Sequence, residues 1–154
     1  MMLSGVAIAA WQLWPSPERV IRRELAHIEE GLTYPPNESP LNAWAEVNQV
    51  CARLAADVEV EVQAPGIGWR RLEGREEVRT ALLHWRQRYN GAEVRFPDTR
   101  VVLAPDHISA AVYVMVQARL PGERDTIFQE FKLTFRKEGR HWRIGRVETL
   151  EPLR

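Results

Sequence analysis

His84 is the side chain in this sequence best suited to acid–base chemistry. It lies in a segment where Val78, Leu82, Trp85 and Tyr89 recur at helical spacing, so the segment is predicted to be an amphipathic helix. His84 lies about 100° around that helix from Trp85, at the edge of the apolar face. An imidazole there can act as a general base at a pocket mouth, although such a histidine is more often a half-exposed surface residue.

Two carboxylates, Glu61 and Glu130, are the partners that His84 would need in an enzyme. Proton transfer at carbon requires a base and fixed hydrogen-bond donors together in a dry pocket. Glu61 belongs to DVEVEVQ (57–63), where valines alternate with polar residues as they do in a half-buried strand. The glutamate falls on the polar face of that strand. The sequence therefore favours a non-enzymatic role over catalysis by His84 with Glu61 or Glu130.

Other catalytic chemistries lack their motifs in this sequence. Cys51 falls on the apolar stripe of a predicted helix and is interpreted as a small buried residue, and there is no G-x-S-x-G nucleophile motif. His27, His107 and His141 lie on separate elements without metal-ligand spacing. The glycine-containing turn APGIG lacks the lysine of a phosphate-binding loop. We predict no metal and no cofactor.

The charge balance argues against nucleic acid as a partner. The chain has 21 basic and 21 acidic residues, whereas nucleic-acid-binding domains usually carry an excess of basic charge. Arginines are concentrated in Gly68–Gly91, but glutamates in the same segment offset half of them. An ordinary solvated helix face is the interpretation that this pattern favours.

Hydrophobic periodicity predicts helices first and a run of strands afterwards. Ser16-Pro17 and Ser39-Pro40 are helix-initiating pairs, and the helix that contains His84 follows Gly74. After Gly91 the chain alternates polar and apolar residues, with tight turns at Pro105-Asp106, Pro121-Gly122 and Glu138-Gly139. Val112, Val114 and Val116 form a purely aliphatic set that is predicted to face the core. Helices followed by long antiparallel strands indicate an α+β domain.

This order of elements resembles that of the nuclear-transport-factor-2-like superfamily, which includes ketosteroid isomerase, SnoaL-type polyketide cyclases and scytalone dehydratase. The segments that carry the resemblance are Leu54–Val62, Arg71–Leu82 and Phe131–Glu148. The resemblance implies an α+β fold in which a cone-shaped, curved antiparallel sheet has three helices packed on its concave face. We predict a single domain of this fold at residues 16–154, preceded by an apolar segment at residues 1–15.

The cone implies a ligand pocket, and the second face of the sheet implies a surface for a homodimer. Ketosteroid isomerases place an aspartate base near the position of Val62, so the isomerase pattern is not reproduced.

We expect a non-enzymatic module that binds a small apolar molecule or a protein partner through its cone. There are two alternatives. One is a small enzyme of the isomerase, dehydratase or cyclase type, and the other is a membrane-anchored assembly scaffold. The predicted ligand-binding residues are Trp44, Trp69, Trp85, Tyr89, Tyr113 and Gln117, with Glu130 as a further polar contact.

The N-terminal segment has the composition of a membrane-associated sequence. Its first seventeen residues, MMLSGVAIAAWQLWPSP, contain no charged side chain. Trp11 and Trp14 suit a bilayer interface, and Arg19, Arg22 and Arg23 follow directly. We predict that residues 1–15 associate with a membrane, on a side that the sequence leaves open. The alternative is a cytoplasmic protein in which this segment packs on the domain.

Overall fold

Three helices and six strands make up the described part of the chain. The structure is a computed structural model that describes residues 16–64 and 68–150, so the predicted anchor at residues 1–15 lies outside the described residues. In chain order the elements are α1 (Pro17–Leu32), α2 (Pro40–Cys51), β1 (Leu54–Ala64), β2 (Gly68–Glu73), α3 (Arg75–Arg88), β3 (Glu93–Leu103), β4 (Ser109–Arg119), β5 (Ile127–Glu138) and β6 (His141–Thr149).

The helices begin where the sequence predicts. The hydroxyl oxygens of Ser16 and Ser39 each accept a hydrogen bond from a backbone N–H in the first turn, and a proline occupies the first helical position. Helix α3 begins after Gly74, whose φ of 88° is strained for any residue with a Cβ. The backbone N–H of Gly74 donates to Val58 O at 2.7 Å, which fixes the start of α3 against β1.

The six strands form one sheet in the order β2-β1-β6-β5-β4-β3, with β2 and β3 as its edges. All neighbouring pairs are antiparallel except β1 and β6, which are parallel. The sheet is therefore mixed, whereas the sequence predicts an antiparallel one. The reason lies in the path of the chain, since β3 to β6 return across the sheet and bring β6 alongside β1 in the same direction.

Strand β3 joins two segments that the sequence presents separately, AEVRF and TRVVLA. Pro97 between them cannot donate a backbone hydrogen bond. Its position at a sheet edge makes this tolerable, and the pairing with β4 shifts register between Arg95 and Asp98. The α+β prediction is thus confirmed with β3 as one long, bulged edge strand.

The two faces of the sheet differ sharply in chemistry. Val112, Val114 and Phe135 are fully buried on the inner face, which confirms the aliphatic set of β4 as the core side. Their neighbours along the strands, such as Tyr113 and Lys132, pair with each other on the outer face. Buried valine and phenylalanine side chains each contribute about 1.5–3 kcal/mol to folding.

The helices cover the inner face, as the fold prediction requires. Helix α1 runs along β3, where Glu29 Oε2 accepts from Phe96 N at 2.6 Å and Thr33 Oγ1 accepts from Val94 N at 3.0 Å. Helix α3 packs against β1 and β2, and α2 lies between the other two helices. Among the described residues, no helix is both long and apolar enough to cross a bilayer.

We predict that Gly31→Ala destabilises the domain although alanine is the better helix former. A Cβ at Gly31 would lie 2.5 Å from Val50 Cγ2, closer than real contacts allow. Overpacking costs about 1–3 kcal/mol, against a helix-propensity gain of about 1 kcal/mol. In a Val50→Ala background the same substitution should become stabilising. Urea unfolding of the four variants measures this, and an unchanged effect in both backgrounds would contradict the packing argument.

Candidate functional site

The inner face of the sheet is fully buried at one end and half-buried at the other. Around Phe135, Trp142 and Ile144 the side chains are almost fully buried. Toward the opposite end the inner-face side chains are half-buried, although they remain apolar. This second set, which we call the open end of the cone, comprises Val62, Leu82, Val116, Phe131 and Val147. It is the less buried part of the apolar interior.

Two of the predicted ligand-binding residues, Trp85 and Tyr89, lie beside the open end. Their rings are 4.4 Å apart between centroids and tilted by 47°, a favourable aromatic arrangement. Together with Ile127 of β5 they pack against the buried Tyr34, Ala92 and Leu120. The C-terminal half of α3 therefore contributes an aromatic wall to this end of the cone.

The other predicted ligand residues lie elsewhere. Tyr113 is on the outer face with Arg100 over its ring at 4.5 Å, and Gln117 lies opposite Arg95 on the same face. Trp44 is 50% exposed on α2, although it falls on the same helical stripe as the buried Val47 and Cys51. Trp69 is 65% exposed on the edge strand β2. These four side chains therefore share no site with the aromatic pair of α3.

The weak catalytic candidates are also separated. His84 is exposed on α3. Glu61 lies on the outer face of β1, 3.7 Å from Arg146 Nη2, and Glu130 is exposed on the outer face of β5. Pleating of the strands sends both carboxylates away from the helices. His84 is therefore not brought together with either carboxylate. Residues 16–64 and 68–150 contain no group of three metal-ligating side chains.

Gln129 is a polar residue of the inner face that the sequence interpretation missed. It pairs with Val116, which places it beside the open end, whereas the predicted Gln117 and Glu130 lie on the other face. Its amide nitrogen donates to Leu150 O at 3.1 Å and to Glu130 O at 3.2 Å. With both donors used, its side-chain carbonyl keeps acceptor capacity. The alternating pattern of FQEFKLTF could have identified Gln129 as an inner-face residue, because it lies two positions before the inner-face residue Phe131.

Comparison with known proteins identifies the architecture. No family model and no curated protein matches the sequence. Among solved structures, a protein of Novosphingobium aromaticivorans that is provisionally assigned as a scytalone dehydratase aligns with a TM-score of 0.67 and 18% identity, covering 88% of this chain and 84% of that one. An NTF2-like protein with a cystatin-like fold from the same species aligns with a TM-score of 0.67 and 14% identity, over 96% and 88% of the two chains. The chain has the nuclear-transport-factor-2-like (NTF2-like) fold.

A third N. aromaticivorans protein shows how little this fold says about activity. It is provisionally assigned as an aromatic ring hydroxylase and aligns with a TM-score of 0.67 and 12% identity, covering 88% of this chain and 90% of that one. Dehydration and hydroxylation are different reactions, and one NTF2-like framework hosts proteins assigned to each. Function must therefore be argued from the side chains of the site.

A buried ion pair fixes the loop beside the open end of this NTF2-like domain. Arg86 Nε lies 3.3 Å from Glu38 Oε1, and both side chains are only 6% exposed. Arg86 also donates to Gly31 O at 2.8 Å, and its guanidinium lies 4.6 Å from the centroid of the Tyr34 ring. Tyr34 donates to Tyr89 O at 2.8 Å, and burial raises the pKa of its hydroxyl. The loop between α1 and α2 is thus attached to the aromatic end of α3.

The arginines of α3 correct the prediction of a solvated helix face. Arg75 donates to Leu54 O at 2.6 Å, and Arg79 donates to Asn48 Oδ1 at 2.9 Å. With Arg86 they connect α3 to β1, to α2 and to the α1–α2 loop. Helical periodicity treats a charged residue as exposed, so it could not reveal these contacts.

A surface groove of about 830 Å³ lies next to the aromatic cluster. It runs between the α1–α2 loop and the β4–β5 loop and shares Tyr34, Ala92 and Leu120 with that cluster. Its charged lining is balanced in sign, and Arg95 is paired with Glu93 at 3.4 Å. The charged residues are Glu93, Arg95, Arg119, Glu123, Arg124 and Asp125. The formal charges of the groove lining therefore sum to zero.

We predict that Arg86→Ala destabilises the domain by about 3–5 kcal/mol, because it leaves the Glu38 carboxylate buried without its cationic partner. The matched control is Arg22→Ala, which breaks an ion pair with Glu18 whose side chains are 46% and 55% exposed and should cost at most about 1 kcal/mol. The double variant Glu38→Leu/Arg86→Met should be more stable than Arg86→Ala. Urea unfolding tests the order, and equal losses for Arg86→Ala and Arg22→Ala would refute it.

Proposed function

We propose that this chain is a non-enzymatic binding module of the NTF2-like fold that holds a small apolar molecule, or an apolar part of a protein partner, in the open end of its cone. The observation that carries the proposal is the half-buried, apolar inner face formed by Leu82, Val116, Phe131 and their neighbours beside the Trp85–Tyr89 pair. Concave apolar surfaces with few polar groups are typical of small-molecule sites.

The energetics suit an apolar ligand of modest size. Removing about 200 Å² of apolar surface from water contributes about 5 kcal/mol before the costs of association. Gln129 supports one directional contact, because its amide nitrogen is held by backbone carbonyls and its carbonyl oxygen can accept a hydrogen bond. A ligand with an apolar body and one hydroxyl or amide donor fits this arrangement.

The distribution of ionisable groups supports binding over catalysis. General acid–base chemistry needs a base within hydrogen-bond reach of the substrate. On the strands around the open end, the described inner-face positions carry Val62, Val116, Gln129, Phe131 and Val147, none of which ionises. His84 is exposed and Glu61 is engaged with Arg146.

We predict that Val116→Asp weakens binding of the neutral apolar dye Nile red by at least about 10-fold, because a carboxylate in the open end must lose its hydration when the dye binds. Met115→Asp is the matched control, since it places the same charge one residue away on the outer face. Fluorescence titration, with thermal unfolding to confirm that both variants fold, measures the difference. Equal affinity of the two variants, or no dye binding by the unaltered chain, would contradict the proposed site.

We also propose that residues 1–15 tether the domain to a membrane. The support is compositional, namely the uncharged run, Trp11 and Trp14, and the arginines that follow. Among those arginines, Arg19 and Arg23 are exposed at the start of α1.

Removal of residues 1–15 should move the protein from the membrane pellet to the supernatant. We expect this shift because the removed residues supply the apolar surface that would insert into the bilayer interface. Ultracentrifugation of lysates that contain either form measures this, and Trp11→Ala/Trp14→Ala should give an intermediate result. Recovery of the full chain in the supernatant would rule out the tether.

A further inference from the structure

The start of α1 lies at the end of the domain opposite the open end of the cone. Along β3, the contacts of α1 proceed from Thr33 beside Val94 to Arg22, whose guanidinium donates to Thr99 O at 3.3 Å. Because a helix rises about 1.5 Å per residue and a strand about 3.3 Å, Ser16 lies level with the last residues of β3. The turn between β3 and β4 is at this same end.

The β5–β6 turn lies beside the β3–β4 turn. The backbone N–H of Lys137 donates to Ile108 O at 2.8 Å, which joins the two turns directly. Arg140 is exposed within the β5–β6 turn, and Arg143 lies opposite Arg136 just after it. The first turns of α1 and these two turns therefore form one end surface, which we call the N-terminal end surface.

Positive charge is in excess on the N-terminal end surface although the chain as a whole is neutral. The carboxylates there are already engaged: Glu18 with Arg22, Asp57 and Glu138 with Arg136, and Asp106 by the hydroxyl and backbone of Ser109. Within residues 16–64 and 68–150, the following cations of this surface form no ion pair: Arg19, Arg23, Lys137, Arg140 and Arg143.

Exposed apolar side chains accompany these cations. Ile108 is 57% exposed in the β3–β4 turn, and Val102 is 46% exposed near the end of β3. Cations beside exposed aliphatic side chains match a bilayer interface, where anionic headgroups lie above hydrocarbon. A nucleic acid would use the cations but would leave the aliphatic side chains without a partner.

We infer that the N-terminal end surface docks on anionic phospholipid headgroups, so that the open end of the cone points away from the bilayer. The inference deepens the proposed tether, because Ser16, the first described residue, lies at this surface. The tether would supply apolar anchoring, and the unpaired cations would add a preference for anionic lipid and set the orientation of the domain.

The test uses the full chain and two kinds of vesicle, phosphatidylcholine alone and phosphatidylcholine with about one-third phosphatidylglycerol. Lys137→Glu/Arg140→Glu should reduce binding to the anionic vesicles by at least about 10-fold and leave binding to neutral vesicles unchanged. Arg119→Glu/Arg124→Glu is the matched control, since it makes the same change in net charge at the opposite end of the domain and should have little effect. Co-sedimentation measures binding, and circular dichroism confirms folding.

Each outcome has a distinct meaning. No preference of the unaltered chain for anionic vesicles, or equal losses in the two double variants, would overturn the docking surface. Absence of binding to neutral vesicles alone would contradict the tether while leaving the docking surface supported. Binding of a mixed-sequence DNA duplex that depends on Lys137 and Arg140, without a lipid preference, would reassign the surface to nucleic acid and overturn the inference.

Discussion

Successive side chains of a β-strand point to opposite faces of the sheet, and the rest of this structure depends on that constraint. Val112 and Val114 are buried under the helices, whereas Tyr113 between them faces outward beside Lys132. The inner face thereby supplies both the core and the apolar open end. The outer face carries Arg146 among several glutamates. A ligand inside the cone and a partner on the sheet would thus meet surfaces of different chemistry.

The aromatic wall of the open end is positioned by polar contacts on the other side of α3. Arg75, Arg79 and Arg86 attach this helix to β1, α2 and the α1–α2 loop. The Glu38–Arg86 pair is the most deeply buried ion pair among the described residues, and a buried charge that loses its partner is strongly destabilising. Trp85 and Tyr89 are on the same helix, so the shape of the open end depends on charged residues that do not line it.

Local patterns predicted the elements of this fold well. Ser16 and Ser39 cap their helices as expected, and alternation located the strands and identified Val112 as a core residue. The parallel pairing of β1 with β6 could not be predicted locally, because it joins strands that are far apart in the sequence. A strand pattern contains no information about which distant strand becomes its neighbour.

The candidate site was less predictable than the fold, for a related reason. Trp85 and Tyr89 follow from the helical stripe, but Gln129 requires the register of β5 against β4. The burial of Arg86 depends on Glu38, which lies in a loop without periodicity. A site formed between elements depends on tertiary contacts, and the periodic pattern of a single element cannot predict these contacts.

The parallel β1–β6 pairing also has a consequence for the order of folding. Strand β1 is hydrogen-bonded on one side to the short edge strand β2 and on the other side to the last strand of the domain. Contacts between residues far apart in sequence form late, since they close a long loop of chain. During synthesis, the helices and the β1–β2 hairpin therefore emerge before the strand that completes their sheet. The hydrogen-bonding edge of β1 on the side away from β2 remains unpaired until β6 has left the ribosome.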